Sequence, residues 1–338
     1  MMTRRITFAA LACSALCLPL SSQGRGRERA PPPELEHGTF TTGSFASKAL
    51  QRDVPYGVYL PEEYSAEGAE DQQFPLIVWL HGMFEDHERL HVRGGVAIIE
   101  QMMAEGQLPK AVVVTAEGGR VSFYVNGTTS GAWEDMVTQD LLPHVDATHR
   151  VAKGREQRAI MGVSMGGYGA LKIALRHPEL FGAVAVHSVA VLPRNPDELD
   201  ERFPWLERWG GGQKALGAVF GDPLDRDLWR AENILEIVAG LEPAALRGLR
   251  IYFDCGDEDR YGFHKPNQQL HELLTTREIA HDWRLVEGGD HGWRSGYNQD
   301  ALPHSLGFVA AAWATAAGTA GLGGVSAPGG AAPGESGG

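Results

Sequence analysis

Six short apolar runs constrain this chain more than anything else in it: FPLIVWL (74–80), AVVVTA (111–116), RAIMGV (158–163), AVAVHS (183–188), LRIYFDC (249–255) and WRLVEG (283–288). Each is continuously apolar rather than alternating, the pattern of a strand buried on both faces. Stretches with helical spacing fall between them, at 93–105, 131–148, 165–177, 263–277 and 298–316. In the second, Trp133, Met136, Val137, Leu141 and Val145 recur along one face. Strands separated by helices pair in parallel through right-handed crossovers. The expected architecture is therefore α/β, a mostly parallel central sheet with helices on both faces. GVYLP (57–61) is expected to add an edge strand. Residues 189–246 are too long for a simple crossover and read as an inserted lid.

The ends of the chain read differently. Arg4 and Arg5 precede the apolar stretch ITFAALACSALCLPL and the small residues SSQG, which predicts an export signal over 1–23 with a cut near Gln23. That stretch is too short for a comfortable membrane span. Cys13 and Cys17 lack the usual Leu three residues earlier, so a lipid anchor is the weaker alternative to a periplasmic or secreted protein. Residues 24–37 form a polar, Pro-rich linker, and the Gly/Ala-rich tail at 317–338 has too little apolar surface to order itself. One folded domain is expected at 38–316. With two of the three cysteines in the signal, only Cys255 remains, so no internal disulfide is possible and the thiol reads as a small buried hydrophobe.

Gly162-Val163-Ser164-Met165-Gly166 is G-x-S-x-G, set after an apolar run and before a helical pattern. A serine there sits on a sharp strand-to-helix turn, with Gly162 and Gly166 leaving room for the strained backbone. Such a serine needs a base, and a group to orient that base. The loop GDEDRYG after the fifth run offers Asp257, Glu258 and Asp259. The Gly-rich loop GGDHGWRSG after the sixth presents His291. Of thirteen histidines, only His291 combines a late position, a post-strand loop and flanking glycines.

Four stretches, YVNGTTSGAWEDMVTQDLLPHVDATHRV, RAIMGVSMGGYGALKIALRHPELFGAV, CGDED and GGDHGW, resemble the putative esterase family of α/β-hydrolases. That family includes S-formylglutathione hydrolases, feruloyl and acetylxylan esterases, enterochelin esterases and mycolyltransferases. The resemblance spans about residues 50–312, with SMGGYGAL its most specific part. It implies the α/β-hydrolase fold, a carboxylic ester hydrolase, and an acid at Asp259, with Asp254 and Asp257 as fallbacks. It also implies His291 as the base. An ester's developing oxyanion needs two fixed N–H donors. One follows the nucleophile, at Met165. The family carries H-G-x after its early strand, which implies the Met83 amide as the other, with Gly82 admitting the backbone.

The same stretch, HGMFEDHERLH (81–91), also contains H-E-x-x-H, a zinc-protease pattern when it lies on a helix. The run ends at Leu80 and Gly82 follows, so the segment starts as loop, and no third ligand has recognisable context. The esterase reading is preferred, with no metal and no cofactor. The net charge of −13 opposes nucleic acid as a partner. A small-molecule or carbohydrate ester is the expected substrate. An acyltransferase moving the acyl group to a sugar hydroxyl would use the same residues, and a non-catalytic binding protein is the remaining alternative. Trp205, Trp209, Phe220 and Trp229 in the insertion are expected either to meet substrate or to fix the insertion to the body, Trp229 being structural by the resemblance.

Overall fold

The computed structural model describes residues 31–293 and 296–316. The expected signal, the first half of the linker and the C-terminal tail lie outside the described residues. Eight strands form the main sheet: β1 (Gly38–Ser47), β2 (Arg52–Pro61), β3 (Leu76–Leu80), β4 (Val112–Ala116), β7 (Arg158–Val163), β8 (Ala183–His187), β9 (Arg250–Gly256) and β10 (Asp282–Val286). Two-residue strands β5 (Asn126–Gly127) and β6 (Gly131–Ala132) pair separately. The order is β1-β2-β4-β3-β7-β8-β9-β10, with β2 antiparallel to both its neighbours and every later pairing parallel. This is the mostly parallel α/β sheet of the sequence reading.

Why the apolar runs are continuous is visible in the core. Leu76, Val78 and Leu80 enter one packed cluster, while Ile77 and Trp79 between them enter another on the opposite face. Ile160 divides from Ala159, Met161 and Val163 in the same way. One face is covered by the helices Met165–Arg176, Leu142–Thr148 and His264–Thr276, the other by Gly95–Ala104 and the C-terminal helix Tyr297–Ala316.

Three expectations change. Residues 57–61 are the end of a ten-residue strand that is not at the edge, because β1 pairs along its whole length from Gly38↔Pro61 to Ser47↔Arg52. The sequence of β1, GTFTTGSFAS, is polar and mostly exposed, so it carries little hydrophobic signal. The expected helix at 131–148 starts at Trp133 and runs unbroken to Thr148, but only Trp133–Asp135 and Leu142–Thr148 are regular; the six residues between them, Met136–Leu141, are more widely wound. Pro143 near the start of the last piece has no N–H to continue a regular ladder, which suits the widened turn before it. Ordered contacts also begin before residue 38: the amides of Glu36 and His37 donate to the Glu100 carboxylate at 2.8 and 3.0 Å.

Residues 189–246 carry short helices between β8 and β9. Their aromatic residues divide. Trp229 and Phe220 are buried, ring against ring at 4.7 Å, and Trp229 Nε1 donates to the Pro193 carbonyl at 2.9 Å. Trp205 and Trp209 face a cavity.

Candidate active site

In a parallel sheet, the loops leaving the C-terminal ends of the strands converge on one side, and a site is expected there. Four such loops meet here: 81–85 after β3, Ser164 after β7, 257–263 after β9 and 287–293 after β10. They share one cavity of about 160 Å³ with residues of the insertion, and Gly82, Met83, Ser164, Tyr261 and His291 line it.

Ser164 sits at φ 59°, ψ −118°, between β7 and the helix Met165–Arg176. A left-handed φ is costly for any residue but glycine, and such strain persists where the surroundings fix it. Here the fixing is explicit. The Ser164 amide donates to the His187 carbonyl at 2.9 Å, and its own carbonyl accepts from Tyr168 and Ala190 at 2.9 and 3.2 Å. The flanking glycines are required by contact. A Cβ on Gly162 would lie 2.5 Å from the Gly166 oxygen, and one on Gly166 would lie 2.0 Å from the Leu80 oxygen.

His291 and Asp259 come together: Nδ1 is 2.7 Å from Asp259 Oδ2. Asp259 Oδ1 accepts from the amides of Tyr261 and Phe263 at 2.9 and 3.3 Å, and the Cys255 thiol lies 3.7 Å from Oδ2. Burial, the largest influence on this carboxyl, would raise its pKa. The bond from His291, its charge and the two amides outweigh burial and hold Asp259 below the usual carboxylate range. With Nδ1 engaged, Nε2 is the nitrogen left to meet a hydroxyl. Among the described residues Ser164 and His291 share the cavity without a hydrogen bond between them, a looseness common before substrate binds.

The fallback acids go elsewhere. Asp254 is wholly buried, with both oxygens 3.0 Å from His187 Nδ1 and hydroxyls from Tyr252 at 2.8 Å and from Tyr297. His187 Nε2 in turn lies 3.1 Å from Ser305 Oγ, so a second serine, histidine and aspartate lie in line, closed off from solvent. Asp257 is half-buried, and Glu258 is exposed.

The two amides expected to hold an oxyanion, those of Met83 and Met165, donate to no acceptor among the described residues. That of Met165 opens a helix, where the first N–H groups have no partner in the helix and the dipole favours negative charge. The Met83 peptide is held from its other end. Gly118 N–H donates to His81 Nε2 at 2.8 Å, so Nδ1 carries the proton and donates to the Gly82 carbonyl, also at 2.8 Å. Glu85 Oε2 accepts from the Gly82 amide at 3.0 Å, and Arg93 and Arg89 hold Glu85 at 2.7 and 3.4 Å. A Cβ on Gly82 would lie 3.1 Å from Glu85 Oε2, which would have to give way, and 3.6 Å from Ser164 Cβ, in ordinary contact.

The H-E-x-x-H half of the 81–91 stretch is divided between two places. His87 Nδ1 lies 3.5 Å from Glu117, whereas His91, in the one-turn helix Arg89–Val92, stacks on Phe40 of β1 at 4.5 Å. Burial lowers the His91 pKa. His87 and His91 do not point at a common centre.

The helix behind Ser164 is tied down from below. Lys172 is wholly buried between Glu134 at 2.6 Å and Glu232 at 2.5 Å, and Arg176 reaches the same pair at 3.1 and 2.9 Å. Tyr168 donates to the Glu232 carbonyl at 2.6 Å. Sequence reading missed this network, the His81 brace and Glu85. Only the Lys and Arg four residues apart in an otherwise apolar helix hinted at buried partners.

The model of the family described as "Putative esterase" matches residues 47–308. An esterase of Mycobacterium tuberculosis, Esterase Rv1288, is 26% identical over 268 residues, covering 72% of this chain and 54% of the relative. The chain thus spans about half the length of that curated relative. Among solved structures, a ferulic acid esterase superposes with a TM-score of 0.68 at 23% identity, over 82% of this chain and 99% of the other. An S-formylglutathione hydrolase from Agrobacterium tumefaciens gives 0.63 at 21% identity, over 83% and 98%. These likenesses show the α/β-hydrolase fold.

Proposed function

The chain belongs to the putative esterase family, and from that premise we propose that it is an exported serine esterase in which Ser164 is the nucleophile, His291 the base and Asp259 the orienting acid. The observation that carries this reading is the strained turn at Ser164 facing, across one cavity, a histidine whose far nitrogen is held by a buried carboxylate. Ser164 Oγ attacks the ester carbonyl carbon and its proton passes to His291 Nε2. The Met83 and Met165 amides receive the charge that develops on the carbonyl oxygen. As the carbon–alkoxide bond breaks, the alcohol leaves with the proton from His291. Water then repeats the sequence on the acyl-enzyme and releases the acid. No step calls for a cofactor or metal.

Phe123, Leu192, Phe203, Leu206, Leu216 and Phe263 line the cavity, which supports an apolar or aryl acyl group in a small-molecule or carbohydrate ester. The charged start and short apolar stretch at 4–20 support export; among the described residues no helix is long and apolar enough to cross a membrane. A second, open cavity shares Trp205 and Tyr261 with the first. It favours keeping acyl transfer as the second reading, because an acceptor alcohol would have room there. The test is a panel of acetyl, butyryl, feruloyl and formylthioester substrates, each with and without added sugar. Turnover of aryl or butyryl esters to free acid supports the esterase; acyl-sugar products at the expense of free acid support the transferase. Inertness toward the whole panel, without a burst, defeats both.

A further inference from the structure

The residues beside the acid and the base are joined to each other as closely as the acid and base are. Arg260 follows Asp259, and Asp290 precedes His291. Asp290 Oδ1 accepts from the Arg260 amide at 3.1 Å and from Arg260 Nε at 2.9 Å, while Oδ2 takes Nε at 2.8 Å and Nη2. The same Oδ1 accepts from the His291 amide at 2.7 Å. One carboxylate therefore holds the backbone of both catalytic loops and the guanidinium of one. Asp290 is buried although it sits on a loop, and the Arg260 side chain is half exposed.

The need for such a tie lies in the loop itself. Gly288 and Gly292 have φ of 66° and 59°, and Gly296 has 72°. A loop this rich in glycine loses more conformational freedom on ordering than any other composition. It leaves from β10, which borders the sheet and pairs only with β9. The two loops also touch so closely that a Cβ on Gly256 would lie 2.1 Å from the Gly289 oxygen.

Resting on the assignment of Ser164, His291 and Asp259 above, we propose that Arg260 and Asp290 are positioning residues, a clasp that sets the distance between His291 and Asp259. The pair touches neither the reacting serine nor the oxyanion donors; it acts by keeping the imidazole where Nδ1 meets Asp259 and Nε2 faces Ser164. A charged, bidentate contact combined with two backbone hydrogen bonds fixes orientation as well as separation. A misplacement of about 1 Å at reacting groups costs about 10²-fold in rate, so the effect belongs in turnover and not in substrate affinity.

The experiment compares the parent with Arg260→Gln, Asp290→Ala and the double variant, with kcat counted per Ser164 site titrated by a fluorophosphonate. Expected are losses of about ten- to a hundredfold in kcat, KM within about twofold, and a double variant little worse than Asp290→Ala. The low-field proton resonance of the His291–Asp259 hydrogen bond should broaden or vanish in each. Should Arg260→Gln lose its cooperative unfolding transition, Arg260→Lys, which keeps the charge but not the two-pronged contact, carries the same expectation in weaker form. A kcat per site within twofold of parent, or an unchanged low-field resonance, overturns the clasp. Additive losses from the two single variants overturn it as well. Ser164→Ala separates the two levels: if it is inert while the clasp variants turn over normally, the clasp alone fails; if it keeps its activity, the catalytic assignment fails first.

Discussion

His81 controls a peptide it does not belong to. Its Nδ1–H reaches the Gly82 carbonyl at 2.8 Å, and that oxygen lies in the same peptide plane as the Met83 N–H. Because the peptide unit is planar and trans, holding the oxygen on one side aims the N–H to the other. His81→Ala is therefore expected to cost about 10²–10³ in kcat, as for loss of one oxyanion donor, with KM little changed. Equal kcat in the variant would remove the Met83 amide from the mechanism.

Ser164→Ala should lower kcat by about 10⁶, on the subtilisin precedent. A fluorophosphonate should label Ser164 in the parent and nothing in the variant, read by intact mass and peptide mapping. Labelling at any other serine, Ser305 included, would displace the assignment.

The three aspartates of the fifth run and its loop separate by type of damage. Asp259→Asn should cost about 10⁴ in kcat by leaving His291 in the wrong tautomer, with the melting temperature changed little. Asp257→Asn should leave kcat within a few-fold. Asp254→Asn should instead lower stability, because Asp254 carries His187, Tyr252 and Tyr297 in a closed interior. Kinetics and thermal unfolding on the same three samples decide it.

Acid should destabilise the protein partly through Glu134. Burial would raise this carboxyl, but His177, Lys172 and Arg176 outweigh it and lower it to about 2 from an ordinary 4.5. A depressed carboxylate stabilises the fold above its unfolded pKa, and that contribution is lost as pH falls from about 4.5 toward 2. Its size is on the order of 3 kcal/mol. Denaturant unfolding at pH 5 and pH 3 should show a smaller drop for Glu134→Gln than for the parent. Lys172→Met removes the buried cation but leaves Glu134 and Glu232 with Arg176, and Glu134 with His177, so it should cost about 1.5–3 kcal/mol at neutral pH, the range for charged hydrogen bonds.

Removing metal should change nothing in turnover. EDTA or phenanthroline is expected to leave the rate as it was, and His87→Ala with His91→Ala to keep activity. The stacking of His91 on Phe40 places any loss in stability. Stoichiometric zinc together with chelator-sensitive turnover would reverse the reading of the 81–91 stretch.

What the sequence disclosed follows physical rules of locality. The five inner strands are legible because burial on both faces keeps them apolar, whereas β10, read from its sequence as buried on both faces, borders the sheet with Leu285 half exposed. β1 is not legible, because an edge strand such as GTFTTGSFAS is held by backbone pairing and exposes most of its side chains. Ser164 and His291 stand out through the glycines around them. Which of Asp257, Glu258 and Asp259 faces the imidazole depends on the course of one loop, and local composition does not encode it. The His81 brace and the Arg260–Asp290 tie are invisible for the same reason, since each joins segments far apart in the chain.

The ionic anchor beneath the helix Met165–Arg176 has a consequence for how such a chain can change over generations. Glu232 fastens the far end of the insertion to Lys172 and Arg176, while the stretch that shapes the cavity, Phe203 to Leu216, lies well upstream of it. Substitutions at Trp205, Trp209 or Leu216 thus redraw the cavity wall without loosening the helix that carries Ser164. The cavity wall is free to drift in one part of the insertion while the other part keeps the Ser164 turn in register.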